Sequence, residues 1–126
     1  MRIERTMTGS DRENIHRAAA RAALDVPGVV ALQPALADRL ALAASRAYEA
    51  IAAGTNGHHE AAGVRCGLTP AGAWHLEVRC ILDADQRVVD VARRVREDVR
   101  TTVTAYLAQH GTAAPVTVMV TVTRAV

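Results

Sequence analysis

The chain has 126 residues and a mass of 13.4 kDa, a length that suits one hydrophobic core rather than two. Half of its residues are apolar and 22% are charged, which excludes a disordered or collagen-like polymer. The 15 basic residues stand against 13 acidic ones, and a net charge of +2 is too small for the whole molecule to act as a polycation toward nucleic acid or an anionic membrane. Every basic residue except His is Arg, and the apolar residues are mostly Ala and Val, with Trp74, Tyr48 and Tyr106 the only aromatics. A core assembled from small side chains follows.

Residues 1 to 10 are polar and read as a flexible N-terminus, with residues 11–126 forming a single domain. The opening stretch has mixed charge and no apolar run, so no secretory signal is expected, and no segment has the roughly 18 to 20 apolar residues that span a bilayer. A cytoplasmic location follows as the expectation. Ser10, Asp11 and Glu13 supply N-cap and first-turn chemistry for a helix through Ile15, Ala19 and Ala23 that stops near Asp25, ahead of Pro27. Val29 to Leu32 then reads as a short buried strand. Pro34 opens a second helix, with Leu36, Leu40, Ala43, Ala47 and Ile51 down one side, and Gly54 to Glu60 is a loop.

Val64, Cys66 and Leu68 alternate, Thr69 to Gly72 turn, and Trp74, Leu76, Val78, Cys80 and Leu82 alternate on the return, which is a β-hairpin. The register that gathers the apolar residues on one face pairs Leu68 with Trp74, Cys66 with Leu76 and Val64 with Val78. Cys80 then lies opposite Ala62, roughly 13 Å along the strand from Cys66, beyond disulfide reach. From Val88 the period becomes helical: Val91, Val95, Val99, Val103 and Leu107 share a face, and Gly111 closes the helix. Pro115 to Thr123 has the clearest strand signal, uncharged and rich in Val and Thr, suited either to the inside of a sheet or to an assembly edge. The expected fold is α+β in two layers: a small mixed sheet of about four strands against two to three helices, in the order α-β-α-β-β-α-β. Its last two strands should run parallel.

Motifs for catalysis are missing: the chain has no G-x-S-x-G, no Walker loop and no Rossmann glycine pattern. His58, His59 and Glu60, with His75, are the residues with metal-ligand character, but adjacent His in a loop lack the spacing that aims two nitrogens at one ion. No cofactor is expected. Asp83 and Asp85 sit where a carboxylate caps the following helix. Arg93, Arg94, Arg96 and Arg100 are the densest basic group, and Glu97 and Asp98 lie at i+4 from Arg93 and Arg94, the spacing of intrahelical pairs. A phosphate-binding stripe over Arg93 to Arg100 makes a nucleic-acid-binding module the alternative reading, though the chain has neither a GxxG between two helices nor a run of strand aromatics.

Taken as one pattern, the hairpin, the helix Val88 to Val103, the ending Ala114 to Val122, and the segment Ala22 to Leu32 with its Val26-Pro27-Gly28-Val29-Val30 run resemble the alkaline shock protein family of bacterial envelope stress response proteins. The resemblance covers most of residues 14–32 and 61–123. The family usually carries an aromatic-Gly pair before the long helix, where this chain has Leu82-Asp83-Ala84-Asp85-Gln86, and the helix after Pro34 replaces what is commonly a variable linker. The resemblance implies a cytoplasmic protein without catalysis that self-associates, assembles with paralogues, or is recruited to a membrane-anchored partner at the inner face of the membrane. The contact surfaces expected for such a scaffold are an unpaired sheet edge and the polar face of the long helix, formed by Arg93, Arg94, Glu97, Asp98, Arg100 and Thr101.

Overall fold

The computed structural model describes residues 9–34, 63–111 and 113–126, without the side chains of residues 9 and 10. The helix expected after Pro34 and the His58, His59 and Glu60 loop lie outside the described residues. The elements are α1 (Gly9–Leu24), β1 (Val29–Leu32), β2 (Val64–Leu68), β3 (Trp74–Leu82), α2 (Val88–Gln109) and β4 (Val116–Ala125), an α+β arrangement with a four-stranded mixed sheet. β3 is the organising strand. β4 runs parallel along its whole length, from Trp74 opposite Val116 to Leu82 opposite Ala125, with one irregularity after Cys80.

The other side of β3 is shared by two short antiparallel strands placed end to end. β2 pairs with its first half, Val64 opposite Val78 and Leu68 opposite Trp74, as the alternation of apolar residues demands. β1 takes the second half, with Val29 opposite Leu82 and Leu32 opposite Cys80. Gln33 N–H donates to Arg79 O at 2.8 Å and Arg79 N–H to Gly63 O at 2.9 Å, so the chain leaves the sheet and rejoins it at one point. Gly63 makes that junction possible: its φ is +96°, and a Cβ there would stand 2.8 Å from Leu32 Cβ. This corrects one expected pairing. Cys80 faces Leu32 because β1 occupies the edge beyond Gly63.

One face of the sheet carries the core. On β3 the even positions Trp74 to Leu82 are buried, and Val64 and Val118 join them from either side. α1 contributes Ile15 and the alanines Ala19, Ala20 and Ala23, whose small size lets its backbone come close, and α2 contributes Val91, Val95, Val99, Val103 and Leu107. α1 packs on α2, β1 and β2, and α2 packs on β4. Tyr106 ties the helices together: its hydroxyl donates to Oδ1 of the buried Asp11 at 3.2 Å, accepts from the Asn14 amide at 3.3 Å, and its ring stacks on His110. Leu68, at the end of the hairpin face, remains 47% exposed.

The connection from β3 to α2 differs from the expected capping. Asp83 Oδ1 accepts from the Asp85 N–H at 2.9 Å and Asp83 O from the Gln86 N–H, which makes a turn closed on itself. The N-cap of α2 is Arg87, without a side-chain cap bond, and Asp90 in the first turn lies 3.5 Å from the Arg87 guanidinium. The carboxylate that complements the helix dipole is thus Asp90.

Candidate functional site

Helical spacing divides the polar surface of α2 into three strips. Arg94, Asp98 and Thr102 lie on the flank toward α1, where Thr102 shares a depression with Arg17 and Arg21. Glu97 lies along the crest, and Thr101 lines a depression on the β4 side beside Arg100. Arg93, Arg96 and Arg100 follow one another at i, i+3 and i+7 on the flank toward β4, where they line two depressions with residues of that strand. The six residues expected to form one surface are therefore split. Arg93 and Arg100 belong to the β4 side, and Arg94 and Asp98 neutralise each other on the other side at 3.8 Å.

The pairing also differs from the spacing argument. Glu97 meets Arg100, at 3.3 Å, and not Arg93. Both partners are within reach of the carboxylate, and the observed pair has the acid N-terminal to the base, the orientation the helix dipole favours. Arg93 and Arg96 form no ion pair with any described residue. Arg96, left out of the expected surface, thereby becomes one of its two free guanidiniums.

The depression beside the start of α2 is apolar apart from these guanidiniums. Val88, Val89 and Ala92 face Val118, Val120 and Val122 across it, Val89 is 59% exposed, and Met119 on the opposite face of β4 is 46% exposed. The second depression, beside the C-terminal half of α2, is lined by Arg100, Thr104, Ala108 and, from the strand side, Pro115 and Val116. Among the described residues neither is lined by an acid. No described strand pairs with the outer side of β4, so among the described residues the strand with the strongest β propensity is an edge. Its sequence had left both positions open.

Groups suited to bond-making chemistry are not gathered elsewhere. Among the described residues no three His, Cys, Asp or Glu side chains are placed to hold a metal ion. Cys66 and Cys80 are free thiols on the core face of the hairpin. Burial pushes the Cys66 thiol up to about 11, with the nearby Arg12 charge pulling in the opposite direction, and burial also raises that of Cys80. Glu77 and Arg79, on the other face of the sheet, lie 3.7 Å apart.

No protein-family model matches the chain, and no curated protein matches it. Among solved structures, two variants of the MamM CTD are similar to it, each at 15% identity and covering 90% of this chain and 98% of that one. Their TM-scores are 0.45 and 0.44. No helix among the described residues is long and apolar enough to cross a membrane.

Proposed function

We propose that the protein is a non-enzymatic scaffold or adaptor of the alkaline shock type, acting in the bacterial cytoplasm to support the cell envelope under stress. It works by binding protein: copies of itself, paralogues, or a membrane-anchored partner that brings it to the inner face of the membrane. The observation that carries this reading is β4, uncharged from Val116 to Thr123, with no described strand on its outer side and bordered by an exposed apolar depression. Such an edge is a liability unless it has an occupant. The residue patterns of the hairpin, the long helix and the final strand support the family assignment.

Deletion of the gene in its host tests the reading. The deletion strain is expected to survive alkaline shock and cell-wall-active detergent less well than its parent, with survival restored by the wild-type gene. Equal survival of the two strains under both treatments would overturn the envelope role.

A further inference from the structure

We propose that the outer edge of β4 takes an extended acidic segment of a partner protein as an additional strand, with carboxylates of that segment meeting Arg93 and Arg96 and sharing Arg100 with Glu97. The inference rests on the adaptor reading and names its surface and the chemistry of its partner. The backbone supplies the first argument. Trp74 N–H donates to Pro115 O at 2.8 Å, and the parallel ladder continues from there with Trp74 opposite Val116 and Leu76 opposite Val118. Alternation then turns the N–H and C=O groups of Val116, Val118, Val120 and Val122 away from β3. An incoming strand meets a row of donors and acceptors at fixed spacing.

Charge decides what kind of strand. Among the described residues every ionised group lining the two depressions is an Arg, Arg93 and Arg96 have no ion pair, and Arg124 adds a further positive charge at the end of β4. From Arg93 to Arg100 the stripe rises by about 10 Å at 1.5 Å per residue. Side chains on one face of a strand repeat at about 7 Å, so two carboxylates at alternate positions fall within the length of the stripe. An aliphatic residue two positions further on reaches Val89 and Val122.

A second copy of this chain fits less well. Two β4 strands paired about a two-fold axis would place both α2 helices on one face of a continuous sheet, with the two Arg stripes opposed across a single groove. Nucleic acid would satisfy the guanidiniums but has no use for the open backbone or for Val89, Val120 and Val122. Only an acidic peptide strand uses all three features.

The test is fluorescence anisotropy at low salt with an end-capped decapeptide of alternating Thr that carries one Leu and two Glu on its other face, and with its twin bearing Lys for Glu. The Glu peptide is expected to bind at least tenfold more tightly than the Lys peptide. The double change Arg93→Glu with Arg96→Glu should weaken it at least tenfold, while Arg94→Glu, on the flank toward α1, should leave it within twofold. Val120→Pro removes an outward N–H without breaking the ladder to β3 and should also weaken it at least tenfold; if this variant does not fold, the Arg pair and the Lys peptide decide. Equal affinity for the two peptides, or indifference to the Arg reversal, would overturn the proposal. So would an oligouridylate that binds with a steep salt dependence where the peptide does not, or a wild-type dimer that Val120→Pro abolishes. A chain that ignores the peptide while its deletion strain keeps the stress phenotype would refute this edge and leave the adaptor reading standing.

Discussion

Replacing Gly63 by Ala probes the point where the chain leaves and rejoins the sheet, and Gly72→Ala supplies its control. Both glycines have positive φ, +96° and +85°, so both substitutions carry the cost of forcing a Cβ into that region, about 1–2 kcal/mol. Gly72 sits in the exposed hairpin turn, and a Cβ there meets nothing within 4 Å. At Gly63 the new methyl lies 2.8 Å from Leu32 Cβ, 3.1 Å from Gln33 N and 3.3 Å from Arg79 O, atoms that cannot swing aside. That overlap adds about 1–3 kcal/mol, for a total of about 2–5 kcal/mol, a large share of the stability of a small domain. Trp74, the single Trp and 1% exposed, reports unfolding in urea. With a slope of about 2 kcal/mol/M, the midpoint should fall by about 0.5–1 M for Gly72→Ala and by about 1–2.5 M for Gly63→Ala. Equal falls would mean that β1 and β2 do not meet end to end on β3.

Three further outcomes follow from part-buried polar groups. With its thiol raised from 9.0 to about 11, Cys66 should be alkylated at pH 8 about a hundredfold more slowly than in the urea-unfolded chain, as read by mass spectrometry; equal rates would remove the burial argument. The folded state keeps this proton where the unfolded state loses it, so the contribution of Cys66 to stability falls as pH rises from about 9 to about 11. Tyr106→Phe withdraws the hydroxyl that Asp11 accepts and should destabilise the fold by about 1–2 kcal/mol in the same urea assay, a change that an unaltered midpoint would contradict.

The elements with strict periodicity were legible in the residues. Alternation from Val64 to Leu82 set the hairpin register, because a slip by one residue would turn Leu76 and Val78 to the outer face. The four-residue recurrence of Val91, Val95, Val99 and Val103 marked the buried side of α2 for a similar reason. Non-local geometry was not legible. Nothing in Val29 to Leu32 shows that it continues the line of β2 across an intervening segment, and only the pairing of Gly63 and Gln33 with Arg79 makes this visible. Local polar choices escaped as well. Asp83 has the same identity whether it caps a helix or closes a turn, and Glu97 stands within reach of two arginines. The candidate surface was found in part: the Arg residues by their density, but not their division between two flanks, which depends on where α1 and β4 lie. That β4 has one partner among the described strands, β3, is likewise visible only in the fold.

Amide hydrogen exchange resolved to single residues in β4 of the free protein tests the central claim most directly. An alternating pattern is expected along the strand: slow exchange at Thr117, Met119 and Thr121, whose N–H groups face β3, and faster exchange at Val116, Val120 and Val122, which face outward. Slow exchange at every one of these positions, in a monomer or in a dimer, would mean that the edge is already occupied and would contradict it.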